Sequence, residues 1–76
     1  MKKNIKYYKS DSCPVCVEQG KEMKKLKKVC KSCVVEIIDV DKHPEKAKHI
    51  NTLPTIETED KRFIGYTEKE KIISEK

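Results

Sequence analysis

Polar and apolar residues follow two rhythms along this chain, and the first two changes of rhythm fall at pairs of cysteines. Ile5-Lys6-Tyr7-Tyr8-Lys9 is a short run rich in β-formers, closed by Ser10-Asp11-Ser12, and predicts a first strand. From residue 15 to about residue 29 the period lengthens. Cys16, Gly20, Met23, Leu26 and Cys30 share one stripe, with Lys24, Lys25 and Lys28 elsewhere, which predicts a helix. Pro14 suits the start of that helix, where its missing N–H would be unpaired in any case. Glu18 and Glu22 precede the lysines, in keeping with the helix dipole, and make i,i+3 pairs with Lys21 and Lys25. Gly20 on the apolar stripe predicts a close approach to something flat, and Lys27, near the same stripe, must turn its ammonium outward.

Residues 34–40 are nearly continuous β-branched and apolar sequence, the pattern of a parallel strand buried on both faces. Strand, helix and strand in this span make a right-handed βαβ unit. Asp41-Lys42-His43-Pro44 is read as opening a short helix to about Ile50. Residues 55–59 and 62–66 flank Asp60-Lys61 as an antiparallel hairpin, and Thr67-Glu68-Lys69-Glu70 reads as a capping box before a closing helix that buries Ile72 and Ile73. The predicted order is β-α-β-α-β-β-α.

Seventy-six residues make one domain, 1–76, whose core must be small because only 36% of its residues are hydrophobic, with one Phe and no Trp. The net charge of +5 raises the question of an acidic partner such as nucleic acid. Thirteen acidic residues are interleaved with the basic ones, however, and Arg62 is the single guanidinium, so a solvated surface is the expected reading. No apolar h-region follows Met1-Lys2-Lys3 and no run has the length of a transmembrane helix, so the expectation is a cytoplasmic monomer without membrane or nucleic-acid partners.

Ser12-Cys13-Pro14-Val15-Cys16 carries the chemistry. A Cys-x-x-Cys where a strand hands over to a helix places its first sulfur on the unpaired N–H groups of the helix start, which favour negative charge. Lys9 at the strand end is the candidate for tuning that thiol by its charge. Cys16, one turn in, is expected to be more buried and to attack only after a mixed disulfide has formed. Cys30-Lys31-Ser32-Cys33 makes a second pair, and Cys13, Cys16, Cys30 and Cys33 together come close to a four-cysteine zinc spacing. A helix between the pairs would hold Cys16 and Cys30 ~21 Å apart at 1.5 Å per residue, so the zinc-module and redox readings exclude each other. Under the redox reading Cys30 is expected to face the core as a small hydrophobe and Cys33 to open the second strand, in preference to a second redox pair. His43 and His49 are assigned to a solvated surface.

The order of elements, with Cys13-Pro14-Val15-Cys16 after strand one and Thr52-Leu53-Pro54-Thr55 before strand three, resembles the thioredoxin superfamily in its minimal, glutaredoxin-like form. Residues 10–16 look like the glutaredoxin active-site loop, and Val40-Asp41 followed by Pro44-Glu45-Lys46-Ala47 is similar to a strand-to-helix passage of that superfamily. The resemblance implies an α/β fold, a four-stranded mixed sheet flanked by helices. It implies thiol–disulfide exchange, with Cys13 as nucleophile, Cys16 as resolving thiol, Pro54 as a cis-proline and the Leu53 backbone pairing with an extended substrate. Pro14, Val15, Gly65 and Tyr66 would complete the substrate-binding surface. No cofactor is implied beyond the redox-active Cys13–Cys16 disulfide. The partners would be disulfide-containing proteins and, as electron donor, a reductase or glutathione.

Three departures stand out. Tyr7 occupies the place of a buried acid found in thioredoxins. Gly65-Tyr66 replaces a Gly-Gly pair of glutaredoxins, with Glu68 as the nearby acid, which counts against glutathione as the direct reductant. The stretch from residue 41 to 54 is short for the family, so the second helix should be stunted. A basic nucleic-acid-binding protein is the remaining alternative, behind the zinc module.

Overall fold

The first strand, β1 (Lys3–Lys9), turns Ile5 and Tyr7 to one face and Tyr8 to the other, and all three are buried. In the computed structural model, which describes residues 3–73, it is followed by α1 (Pro14–Val29), β2 (Cys33–Asp39), a 3-10 turn (Pro44–Lys46), β3 (Thr55–Glu57), β4 (Arg62–Ile64) and α2 (Lys69–Ile73). The sheet order is β2-β1-β3-β4, with β1 parallel to β2 and antiparallel to β3, and β3 antiparallel to β4. Tyr7 therefore lies across from Ile37 on one side and Ile56 on the other.

Helices α1 and α2 bring Met23, Leu26 and Ile72 down on Ile5, Tyr7, Cys33 and Ile56, with Cys30, Val35 and Phe63 packed at the margin. Leu26, Ile56 and Ile72 are fully enclosed. Each such side chain contributes ~1.5–3 kcal/mol of burial, which makes them the main apolar support of so small a core. On the opposite face Tyr8 is buried and its hydroxyl donates to Glu57 Oε1 at 3.0 Å. The His49 ring meets the Tyr8 ring edge-on, with centroids 5.6 Å apart. Burial pushes Glu57 upward, but hydrogen bonds from Tyr8, His49 and Arg62 outweigh it and hold the carboxyl below its usual range.

Five expectations are corrected, one being the burial of Ile73: α2 buries Ile72 but leaves Ile73 exposed. The segment after residue 41 forms one 3-10 turn and no α-helix, and none of the turn's three residues is buried. Between Glu45 and His49 only Ala47 is apolar, so a longer helix would have no stripe to bury. Nor is β2 covered along both faces: Val34 is open on the side away from α1, and Ile37 is open on the α1 side beside Tyr7. The strand lies at the sheet edge, with Val34 and Ile37 44% and 57% exposed.

The hairpin is shorter than its alternation suggested, and residues 58–61 connect its strands through Thr58 N–H to the Lys61 carbonyl at 2.9 Å. The closing helix does not use Thr67 and Glu70 as a capping box. The Glu22 carboxylate of α1 accepts the Lys69 N–H at 2.9 Å and caps α2 from another element. Thr67 instead donates its N–H to Gln19 Oε1 at 2.7 Å.

The two glycines differ in what they permit. A methyl at Gly20 would meet the Tyr7 hydroxyl at 3.7 Å, an ordinary contact. Gly65 has φ +84°, with open space around the missing Cβ. Gly20→Ala should therefore stabilise the fold by about 0.5–1 kcal/mol through helix propensity, whereas Gly65→Ala should cost about 1–2 kcal/mol through backbone strain. Urea unfolding midpoints of the two variants should move in opposite directions.

Candidate active site

Helix α1 starts on a sulfur. Cys13 is its N-cap, in extended conformation, and its Sγ accepts the Cys16 N–H at 3.2 Å, a place usually taken by a Ser, Thr, Asn or Asp oxygen. The same N–H lies 3.1 Å from the Cys13 carbonyl, and the Cys13 N–H donates to Ser10 at 3.1 Å. Both thiols are free, with Cys13 partly exposed and Cys16 buried one turn behind it. Burial and the hydrogen bond with Cys13 push the Cys16 thiol up to about 11, although the Ser10 amide and the Lys9 charge pull the other way.

The loop before Cys13 is fastened to the loop after β2. Ser10 Oγ donates to Asp41 Oδ2 at 2.5 Å and lies 3.0 Å from Ser12 Oγ, and the Asp41 N–H donates to Asp39 Oδ1 at 2.9 Å. Lys9 is held between Asp11 at 2.6 Å and Asp39 at 3.5 Å. Its charge acts on Cys16, the buried thiol, and it is shared with two carboxylates. Asp39 is pushed up by burial but held low on balance by the Asp41 amide and Lys9. The resemblance marks the loop that holds Ser10 and the passage that holds Asp41, but their contact, and the part of Asp39 in it, appear only in the folded chain.

Tyr7 backs the pair from the sheet, its hydroxyl donating to the Cys16 carbonyl at 2.6 Å. Burial, reinforced by the two cysteines, pushes its ionisation well above the usual phenol range, so Tyr7 stays a neutral donor. A hollow of about 450 Å³ beside Cys16 and Tyr7 opens toward the uncovered side chain of Ile37, with Lys27 on its lining.

The predicted substrate-binding residues fall into three groups. Pro14, Val15 and Tyr66 meet with Glu18 around a shallow depression of about 440 Å³ beside the helix start. The Leu53–Pro54 peptide is cis, Pro54 is buried, and its carbonyl accepts the Gly65 N–H at 2.8 Å. Thr55 Oγ1 donates to the Thr52 carbonyl, closing the same loop. Leu53 borders a different hollow, with Val40, Pro44 and Ile50.

Gln19 joins these parts. It is completely buried, and its amide holds both the N–H and the carbonyl of Thr67, at 2.7 and 2.8 Å. The loop that carries Tyr66 is thereby fixed to the helix that carries the thiols.

At the other end of α1, Cys33 opens β2 and is buried, and Cys30 packs against the core, as expected. They are not free thiols, however: a disulfide joins them, with Cα atoms 5.4 Å apart. The turn between the last residues of α1 and the first of β2 brings the two backbones within bridging range. Helix α1 carries the chain from Cys16 to its C-cap Cys30 and so separates the two cysteine pairs, and the four sulfurs do not converge on one point. Among the described residues no helix is long and apolar enough to cross a membrane.

No family model and no curated protein matches the sequence. Solved structures do. A malarial protein superposes with a TM-score of 0.88 at 24% identity, over 97% of this chain and 92% of that one. Thioredoxin-2, a component of malaria parasite protein secretion machinery, gives 0.88 at 23% identity, over 96% of this chain and 79% of its own. Mitochondrial thioredoxin 3 from Saccharomyces cerevisiae, in its oxidized form, gives 0.81 at 19% identity, over 93% and 73%. The chain has a thioredoxin-like fold, with a pair of cysteines close enough to form a disulfide at the start of its first helix.

Two outcomes follow from the geometry. Gln19→Ala leaves the buried Thr67 amide and carbonyl without partners and should cost about 1–3 kcal/mol, measured by chemical denaturation. Brief alkylation at neutral pH should label Cys13 and spare Cys16, which is both buried and protonated far above that pH. Peptide mass mapping of the modified protein reads the ratio.

Proposed function

We propose that the protein is a thiol–disulfide oxidoreductase that reduces disulfides of proteins or small molecules through Cys13 and Cys16. The observation that carries this reading is the Cys13 sulfur at the N-cap of α1, accepting the Cys16 N–H with the Cys16 thiol buried directly behind. Helix-start amides suit a sulfur that carries negative charge, and the partial exposure of Cys13 lets it meet a substrate.

Cys13 acts as nucleophile. Its thiolate attacks one sulfur of the substrate disulfide, that S–S bond breaks, and the first substrate thiol departs with the proton of Cys16. The Cys16 thiolate then attacks Cys13 Sγ, releasing the second substrate thiol, which takes a proton from solvent. The substrate gains two electrons and the enzyme is left with a Cys13–Cys16 disulfide. With Tyr7 in place of an acid behind Cys16, the departing thiolate is the proton acceptor this reading assigns. An extended substrate would lie over Pro14, Val15 and Tyr66 and pair with the backbone of Leu53, while Pro54 and Gly65 shape the loops beneath it. Lys9 would ease ionisation of Cys16 in the second step. The electron donor is a reductase or glutathione, and the bulk of Tyr66 favours the former. We place the protein in the cytoplasm, as a monomer.

Serine is itself a good N-cap, so Cys13→Ser removes the sulfur while keeping the helix start. The test is reduction of a model protein disulfide with either thioredoxin reductase or glutathione plus its reductase as electron source. Cys13→Ser should abolish turnover with both donors, and Cys16→Ala should accumulate a mixed disulfide at Cys13. Turnover retained in Cys13→Ser would overturn the assignment.

A further inference from the structure

The two Cys-x-x-Cys pairs have the same spacing and sit at opposite ends of one helix. Cys13 caps the amide end of α1, where a backbone N–H reaches its sulfur. Cys30 caps the carbonyl end: its own N–H is spent on the Leu26 carbonyl at 2.8 Å, and the last carbonyls of the helix carry partial negative charge. Its partner Cys33 is buried among Ile5, Leu26 and Ile72. The helix thus presents amides to Cys13 and carbonyls to Cys30, while the second sulfur of each pair, Cys16 or Cys33, is buried alike, so the two pairs differ by the helix end. Lys27 and Lys28 in the last turn of α1 soften this for Cys30, and Lys3, across from Cys33 in the sheet, gives its ammonium to the Ile72 carbonyl. Stabilising thiolates favours the reduced form of a couple.

We propose that Cys30–Cys33 is a second thiol–disulfide couple, of lower reduction potential than Cys13–Cys16, opened by strongly reducing dithiols that attack Cys30. The incoming thiolate forms a bond to Cys30 Sγ, and the Cys30–Cys33 bond breaks. Cys33 leaves as a thiolate and takes a proton. The second thiol of the reductant then attacks the mixed disulfide, releasing Cys30 as a thiol and the reductant as its own disulfide. Two electrons pass to the protein and one dithiol is oxidised. A monothiol stalls at the mixed disulfide, because Cys33 stands next to Cys30 and re-forms the original bond. Once open, the pair is the stronger reductant, and it delivers its electrons to a Cys13–Cys16 disulfide. That transfer is between molecules, since 14 residues of helix hold Cys16 and Cys30 of one chain ~21 Å apart. While closed, the bond joins the end of α1 to the start of β2, beside the Lys3 N–H that donates to Ser32 at 2.8 Å.

The test mixes two double variants. Reduced Cys13→Ser/Cys16→Ala, which keeps the second pair, is equilibrated with oxidised Cys30→Ser/Cys33→Ala, which keeps the first. Thiols are then counted on each by alkylation and mass spectrometry. The expected result is transfer of electrons to Cys13–Cys16 with an equilibrium constant of at least ~10, equivalent to about 30 mV. A constant of 1 or below overturns the proposal. Should either variant fail to fold, wild-type protein titrated against graded mixtures of a dithiol and its disulfide decides. Cys13–Cys16 should open first, and Cys30–Cys33 at a dithiol-to-disulfide ratio at least tenfold higher. A single merged step, the reverse order, or an oxidised protein without a Cys30–Cys33 bond overturns it. Inactivity of the first pair toward external substrates would sink the oxidoreductase reading and leave these potentials readable.

Discussion

The start of a buried helix must find partners for its amides, and here the partner that reaches furthest into the structure is a sulfur. Cys13 takes the capping position and accepts the Cys16 N–H, so the group that would do chemistry also begins the helix. Everything around it keeps that arrangement in place. Tyr7 grips the Cys16 carbonyl from below, and Ser10 and Asp41 pull the preceding loop onto the end of the neighbouring strand. A polar cap on the same spot would give a comparable helix and no redox chemistry, which separates the fold's need for a cap from the site's need for sulfur.

A chain with so few large apolar residues cannot build the site by packing alone. It joins elements through buried polar groups of α1 as well. Gln19 holds the Tyr66–Thr67 loop, and Glu22 caps α2 in place of the local capping box. Buried polar groups are costly when unpaired and specific when paired. Two of them therefore fix how the C-terminal third lies on the first helix.

The parts legible in the sequence were those whose cause is local. β1 and α1 declare themselves by period, Pro14 marks the helix start, and Leu53-Pro54 could be read through the resemblance. What escaped depended on residues far away. The β-branched run of β2 has the composition of a doubly covered strand, yet it lies at the sheet edge, where α1 leaves Ile37 open on one face and residues 41–50, with few apolar side chains, leave Val34 open on the other. Thr67 and Glu70 spell a capping box, but Glu22 reaches the helix start first. Gln19 offered a signal of a kind, a large amide one step from an apolar stripe. An amide there must find partners inside, and which partners only the folded chain reveals.

The two cysteine pairs show how far a short motif underdetermines its chemistry. Spacing alone left zinc, redox and simple packing open for the same four residues. The helix between them separates the pairs and gives each an environment of opposite sign, amides at one end and carbonyls at the other. Burial does not separate them, because each pair has one buried sulfur, Cys16 or Cys33. What distinguishes the two pairs in this chain is thus the end of α1 on which each sits, a property of the fold that the four letters of either motif do not carry.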